Sequence, residues 1–151
     1  MTISDPNYDN SNAKKHLARY LEDPESAHVI YPFGDDRPVT TLLLTTTGNK
    51  SGELRTTPLI YKQVGGDYVI VGSLAGSDNH PSWFRNLQAN QNCTVQAGTT
   101  RTAARARIPS GAERQRFWNE AAAQFPTYDI YQAKTDREIP VVVLTPIADP
   151  A

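Results

Sequence analysis

The sequence predicts a mainly β (α+β) domain, a small closed or half-closed antiparallel barrel of six to seven strands with flanking helices. Segments rich in β-branched and aromatic residues alternate with glycine-containing turns along the 151 residues. Most links between these segments are too short for the crossovers of a parallel doubly wound sheet, which is the weaker interpretation. Residues 69–71 and 141–144 are apolar at consecutive positions. Both faces of those two strands should therefore be covered, one by the barrel interior and the other by helices.

Turn residues divide the predicted strands from one another. The first strand ends at the loop Gly48–Gly52, and hairpins turn at Gly65-Gly66 and near Gly98. The last strand has Pro140 near its start and Pro146 after it, two positions where a missing N–H is tolerated. The predicted strands are 39–47, 55–63, 68–73, 94–97, 100–108 and 139–145.

Three segments are predicted helices, over residues 13–21, 81–89 and from 111 to the proline at 126. Asp23-Pro24 ends the first helix, because the residue before proline avoids the helical region. Ser110-Gly-Ala-Glu113 has the sequence of a capping box, in which each of the two side chains accepts the other residue's N–H. Residues 1–12 are polar and are predicted to form a flexible N-terminus before a single domain of residues 13–151.

Composition excludes several classes of protein. With 15 Lys+Arg against 16 Asp+Glu, the formal charge is −1, which argues against a nucleic-acid binder. Cys93 is the only cysteine and is predicted to be inert core, and the three histidines lack the spacing of metal ligands, so no metal site is expected. The N-terminus lacks the apolar region of a signal peptide, and no run could span a bilayer. We therefore expect a cytoplasmic monomer or homodimer without stable membrane insertion.

The loop between the first two strands combines glycines with cations. Gly48 and Gly52 let the backbone approach a ligand closely. Lys50 adds a flexible charge, and Arg55 a planar fork that suits phosphate or carboxylate oxygens. The alternative interpretation is an ordinary hairpin loop with solvated charges.

Two further segments could surround a flat ligand. Small residues follow the strand that ends near Gly72, and Ser73 offers a hydrogen-bond donor and acceptor. Tyr128 and Tyr131 share a helical face or one rim of a loop, and phenols combine an apolar plane with a polar tip. The structural alternatives are a strand-to-helix loop, a core role for Trp83, and semi-buried tyrosines.

Together these segments resemble the deazaflavin-dependent nitroreductase family of actinobacteria, whose members have an FMN-binding split-barrel-like fold and use coenzyme F420. The resemblance extends from about residue 39 to residue 146. It depends on three motifs in the same order, LTTTGNKSGELRTTPL at 44–59, a serine at 73 with PSWFRNLQAN at 81–90, and PTYDIYQAKTDREIP at 126–140.

The resemblance implies an F420-dependent oxidoreductase that transfers a hydride from the reduced cofactor to a small electron-poor acceptor, such as a quinone, an enone or a nitro compound. It implies catalytic roles for Ser73, Tyr128 and Tyr131, and substrate contacts for Ile60 and the two tyrosines. The residues that it implies at the cofactor are Gly48, Asn49, Lys50, Ser51, Arg55, Thr57, Pro58, Gly72, Ser73, Leu74, Ala75, Trp83 and Asn86.

Three positions depart from the family pattern. Asn49 stands where the family usually has Arg and Leu74 where it often has Lys, which removes positive charge near the cofactor's tail. Ile60 replaces an aromatic residue of the nitro-reducing members. Two alternatives stay open: an oxidoreductase with FMN in the same cleft, and a non-catalytic carrier of the deazaflavin or a lipid-like ligand. Ser73 and the two tyrosines favour catalysis over a carrier.

Overall fold

The structure, a computed structural model, describes residues 10–32 and 37–147. Within these ranges the strands are β1 (Val29–Ile30), β2 (Val39–Thr47), β3 (Leu54–Val64), β4 (Asp67–Val71), β5 (Asn92–Ala97), β6 (Thr100–Arg107) and β7 (Val141–Pro146). The α-helices there are α1 (Asn10–Glu22), α2 (Pro24–His28), α3 (Ser82–Ala89), α4 (Gly111–Gln124) and α5 (Thr127–Ala133). A 3₁₀ turn, Leu74–Gly76, follows β4.

The strands form one antiparallel sheet in the order β1-β2-β3-β4-β7-β6-β5. A further pairing of β2 with β5, in which Leu43 lies opposite Gln96, closes six strands into a barrel and leaves β1 as an additional strand. The predicted hairpins turn at Gly65 and Gly98, whose φ angles of 61° and 62° lie in the left-handed region that favours glycine. The predicted fold class is confirmed.

The barrel interior is filled by one hydrophobic cluster to which all six barrel strands contribute. Ile70 of β4 and Val142 and Leu144 of β7 are fully buried there, and Trp83 brings α3 against them. Cys93 belongs to the same cluster, and burial raises the pKa of its thiol to about 11. The thiol therefore stays protonated at neutral pH, as expected of an inert core cysteine.

The outer face of the same two strands is covered by α4 and α5. Val69 and Val71 of β4, with Val141 and Val143 of β7, pack in a second cluster that includes Phe117 of α4. Because successive side chains of a strand point to opposite faces, the two apolar runs supply residues alternately to the interior and to the helical layer. The predicted burial of both faces is confirmed.

Helices α1 and α2 pack against β2 on another part of the outer surface, and Tyr20 holds them there. Its ring is completely buried beside Leu43. Its hydroxyl donates to the Thr41 carbonyl oxygen at 2.8 Å and accepts from the Gly98 N–H at 2.6 Å. One phenol therefore joins α1 to β2 and to the β5–β6 hairpin. In the described part of the chain, no helix has the length and apolar content needed to cross a membrane.

The predicted capping box of α4 is wrong. Ser110 is the N-cap residue, but its side chain makes no capping hydrogen bond. The Glu113 carboxylate instead accepts from Arg107 Nη1 at 2.7 Å, and this hydrogen bond lowers the pKa of Glu113. Arg107 lies at the end of β6 and offers Glu113 a charged donor, a stronger partner than the Ser110 N–H.

Other differences concern short or terminal elements. The sequence did not predict α2 or β1, and it left the segment of α5 open between a helix and a loop. Helix α1 begins at Asn10, inside the predicted flexible N-terminus, of which residues 1–9 lie outside the described residues. The division into a flexible segment and a single domain stays a prediction.

We expect Tyr20→Phe to lower the free energy of unfolding by about 1–3 kcal/mol, because it leaves a buried N–H and a buried carbonyl with one partner fewer. The urea midpoint, followed by circular dichroism, measures the change. Tyr31→Phe is the matched control, since Tyr31 is half exposed, and its effect should stay within about 0.5 kcal/mol. Equal effects of the two variants would contradict the anchoring role of Tyr20.

Candidate active site

A cavity of about 410 Å³ lies on the outer surface of the barrel. It is lined by α1, β3, the segment from the end of β4 to α3, Phe125 at the end of α4, and α5. Most of the lining side chains are apolar, with a few polar groups among them, as is usual for a small-molecule site. The lining residues are Ala13, Lys14, Leu17, Thr56, Thr57, Pro58, Leu59, Ile60, Val71, Ser73, Leu74, Ala75, His80, Pro81, Ser82, Trp83, Phe125, Tyr128 and Tyr131.

One wall of the cavity is aromatic and rigid. Tyr128 and Tyr131 of α5 are both buried, as is Ile60 of β3. The Tyr128 ring meets the edge of Phe125 at 4.9 Å between centroids and tilts against Trp118 at 6.1 Å. Burial raises the pKa of Tyr128 well above its usual value of 10, so its phenol is neutral and can donate a hydrogen bond at neutral pH. The structure therefore brings the predicted tyrosines together with Ile60.

A second wall is the segment that leaves β4, and Arg137 holds its backbone in place. The guanidinium donates from Nη2 to the Ser73 carbonyl oxygen at 2.8 Å and from Nε to that of Ser77 at 2.7 Å. Nη1 donates to the Gly72 carbonyl oxygen at 3.2 Å. No described carboxylate forms an ion pair with Arg137. These three hydrogen bonds fix the main chain around Ser73.

The same segment has an unusual backbone beside the cavity. Leu74 and Ala75 have φ angles of 42° and 54°, in the left-handed region that non-glycine residues rarely adopt. Such conformations cost about 1–3 kcal/mol each and persist only where the surroundings impose them. Here the Arg137 hydrogen bonds lie at one side, and the Ser77 N–H donates to the Leu74 carbonyl oxygen at 3.0 Å. These hydrogen bonds therefore hold the backbone of the segment in a fixed conformation beside the cavity.

The loop of residues 48–52 lies outside the cavity lining and joins β2 to β3, one of the strands that line the cavity. Asn86, one helical turn after Trp83, is buried and fixes this loop. Its side-chain oxygen accepts from the Asn49 N–H at 3.0 Å, and its nitrogen donates to Thr46 Oγ1 at 3.0 Å. A side-chain amide thus joins the loop to the helix that lines the cavity.

The two cations of this loop region are exposed. The Lys50 side chain forms no ion pair with a described residue, and Arg55 faces Glu53 at 3.4 Å with both side chains more than half exposed. An exposed pair of this kind contributes about 0–1 kcal/mol, so an incoming phosphate could replace Glu53 at little cost.

The predicted site residues divide into two groups. Thr57, Pro58, Ile60, Ser73, Leu74, Ala75, Trp83, Tyr128 and Tyr131 line the cavity. Outside its lining lie Gly48, Asn49, Lys50, Ser51, Arg55, Gly72 and Asn86. Asn86 supports the loop from behind, and Gly72 is packed so closely that a Cβ there would lie 2.8 Å from Pro140 Cγ. Both positions are explained by packing and hydrogen bonding within the chain.

Sequence reasoning missed the contribution of α1 and of the start of α3. Lys14 and Leu17 of α1 line the cavity, although the sequence predicts only a helix over residues 13–21. His80 and Ser82 also line it. The prediction of a helix over residues 81–89 gives His80 no role, because nothing in the sequence shows that Arg137 lies beside it.

Comparison with known proteins assigns this arrangement to a family. The family model described as F420H(2)-dependent quinone reductase matches residues 14–146, which include all the lining residues except Ala13. The chain belongs to this family. It is an F420H(2)-dependent reductase, and coenzyme F420 is its cofactor.

Individual relatives agree with the family assignment. The chain is 41% identical over 109 residues to the F420H(2)-dependent quinone reductase Rv1261c of Mycobacterium tuberculosis, covering 69% of this chain and 72% of that protein. It is 42% identical to the solved structure of an F420-H2 dependent reductase, FDR-A, with a TM-score of 0.65 over 69% of this chain and 92% of the other. A second solved structure, described as a domain-swapped dimer, is 34% identical, with a TM-score of 0.67 over 87% and 95% of the two chains.

The residues present fit coenzyme F420, which combines a planar ring system, a phosphate and an acidic tail. The cavity offers a mostly apolar slot between Pro58, Trp83 and the tyrosine wall. The exposed Lys50 and Arg55 lie outside the lining, and Arg55 directly precedes the lining residue Thr56, so this loop region offers the charge that a phosphate requires. The ring part and the anionic part of the cofactor therefore each find the chemistry that they require.

We expect Asn86→Ala to loosen the 48–52 loop and to lower the free energy of unfolding by about 1–3 kcal/mol, because one buried and one partly buried hydrogen bond are lost. Hydrogen exchange at the Asn49 amide should become at least about tenfold faster, and mass spectrometry of the loop peptide measures it. Gln88→Ala is the control, since Gln88 is exposed on the same helix. Unchanged exchange in Asn86→Ala would contradict the role of Asn86.

Proposed function

We propose that this reductase reduces a quinone, with F420 in the 410 Å³ cavity and the quinone between the cofactor's ring and the tyrosine wall. The observation that carries the proposal is the cavity with its buried phenols, whose lining residue Thr56 directly follows Arg55 in the chain. The loop region with Lys50 and Arg55 is the proposed cationic end of the site. When bound, reduced F420 supplies a hydride from its ring carbon. Enones and nitro compounds, the other acceptor classes expected from the sequence, stay predictions.

In this proposal the cationic end binds the cofactor. Lys50 contributes a mobile charge and Arg55 a bidentate fork, so both suit the phosphate and the carboxylates of the tail. The loop backbone around Gly48 and Ser51 contributes N–H groups. Asn49 and Leu74 add no charge, so tail binding depends on the two cations of this loop region more than the family pattern would require.

The proposed role of Ser73, Tyr128 and Tyr131 is to orient the acceptor and to stabilise charge on it. Hydride arrival places negative charge on a quinone oxygen, and the Ser73 and Tyr131 hydroxyls are donors at the wall where that oxygen would lie. A preorganised donor of this kind can contribute about 3 kcal/mol. Tyr128 supports the wall through its ring contacts, and α1 limits the access of water.

A binding titration tests the cofactor part of the proposal. We expect wild type to bind F420 more tightly than FMN, and Lys50→Ala with Arg55→Ala to weaken F420 binding by at least about tenfold, because charge-assisted hydrogen bonds to the tail are lost. Isothermal titration calorimetry with the reduced and oxidised cofactor measures both. Arg101→Ala, an exposed arginine on β6, is the control for net charge. Tight FMN binding without F420 binding would reject the assignment of the cavity.

Turnover with a soluble quinone tests the acceptor part. We expect Ser73→Ala and Tyr131→Phe each to lower kcat for menadione about 10- to 100-fold, while the Kd for F420 changes less than threefold. Oxidation of reduced F420, followed by its absorbance, gives kcat and KM. Ile130→Ala is the control, because Ile130 is exposed on the same helix as Tyr131. Equal losses of turnover and of cofactor affinity would assign these hydroxyls to the cofactor and contradict their proposed role.

A further inference from the structure

His80 occupies a position in the cavity that the proposed function leaves unused. It lines the cavity two residues before Ser82, the first residue of α3, which also lines it. Its ring is tilted on Phe84 with 4.8 Å between the centroids. Packing therefore holds one face of the imidazole, and the two nitrogens on its edge are the groups that can form hydrogen bonds.

Arg137 determines which nitrogen of this imidazole carries the proton. Arg137 Nη1 lies 3.1 Å from His80 Nδ1. A guanidinium has no lone pair to offer, so Nδ1 must be the acceptor. A neutral ring that accepts at Nδ1 carries its hydrogen on Nε2. Because the guanidinium is itself fixed by the carbonyl oxygens of residues 72, 73 and 77, this tautomer is imposed by the fold.

The Nε2–H is then available to the cavity. Nε2 lies on the edge of the ring opposite Nδ1, and no described residue accepts a hydrogen bond from it. Burial, followed by the positive charges of Arg137 and Arg85, lowers the pKa of His80 below its usual value of 6.5. The ring is therefore neutral at pH 7, with one donor held in a fixed direction.

We propose that His80 is a ligand-contacting residue, whose Nε2–H donates a hydrogen bond to a carbonyl oxygen of the flat molecule in the cavity, with Arg137 as its positioning residue. The proposal depends on the proposed function, since quinones and the deazaflavin ring both carry such oxygens. A neutral imidazole can polarise a carbonyl as an electrophile while its proton stays on nitrogen. His80 therefore keeps its proton throughout, and its hydrogen bond leaves the atoms and electrons of the hydride transfer unchanged.

The tautomer is measured without cofactor or substrate. In ¹⁵N NMR spectra of the ligand-free protein, we expect one of the three histidines to show a protonated Nε2 and an unprotonated Nδ1 throughout pH 7–8. That signal should vanish in His80→Gln, which assigns it. In Arg137→Met, which keeps a long side chain but removes the donor, the signal should move toward a tautomer mixture. A protonated Nδ1 on His80 in wild type would overturn the proposal.

The ligand contact is measured by the affinity for oxidised F420 and by turnover of menadione with reduced F420. We expect His80→Ala to lower either the F420 affinity or kcat by at least about tenfold. A lower F420 affinity places the carbonyl oxygen on the cofactor. A lower kcat with unchanged F420 affinity places that oxygen on the acceptor. His80→Gln can accept from Arg137 and donate to the ligand, so it should keep at least a third of the wild-type value. Gln88→Ala, on the exposed side of α3, should resemble wild type in both.

Two kinetic results would overturn the proposal. One is His80→Ala within twofold of wild type in both measurements, and the other is His80→Gln as impaired as His80→Ala, which indicates a role in packing alone. A wild type that neither binds F420 nor reduces menadione overturns the proposed function and this ligand contact with it. The NMR result then shows separately whether Arg137 still fixes the ring.

Discussion

Burial of β4 and β7 on both faces is the constraint on which the rest of the structure depends. Ile70, Val142 and Leu144 fill the barrel, while Val69 and Val143 hold the helical layer. Burial of each such side chain contributes about 1.5–3 kcal/mol, and the same two strands supply both clusters. The tyrosine wall therefore packs against two central strands of the barrel, and its position follows from the barrel's geometry.

The site divides its tasks between rigid and adaptable parts. The wall formed by α5 and the segment around Ser73 are fixed by aromatic packing and by Arg137. The cationic end is different, because Lys50 and Arg55 are exposed and make few contacts with the chain. A reactive ring needs a defined position against its acceptor, whereas an acidic tail is held by charges that tolerate several geometries. This division matches the chemistry expected at each end.

The sequence predicted most of the barrel because its strands have strong local signals. Residues 39–47 are rich in β-branched side chains and are followed by a glycine, and the structure confirms a strand with these bounds. Gly65 and Gly98 likewise mark the turns of the β3–β4 and β5–β6 hairpins. The capping box failed for a physical reason, since Glu113 had a better partner in Arg107, six residues earlier on a strand. A local motif predicts a contact only when no tertiary partner competes for the same side chain.

The site could be predicted only where its residues share a motif. Ser73 and Tyr131 lie in segments that resemble the family, and both line the cavity. Lys14 comes from a helix whose docking is decided by Tyr20, and the tautomer of His80 is decided by Arg137, 57 residues away. Such features arise from contacts between distant segments, and no local pattern of spacing contains them.

The left-handed backbone at Leu74 and Ala75 has a consequence for engineering. Glycine at either position would relieve the steric conflict of the Cβ and make this stretch easier to fold, at the expense of the stiffness of the wall. Variants selected only for thermal tolerance would thus tend to accumulate changes at these two positions and drift toward slower turnover. Stabilising substitutions elsewhere on the barrel, with Leu74 and Ala75 left unchanged, avoid this exchange of turnover for stability.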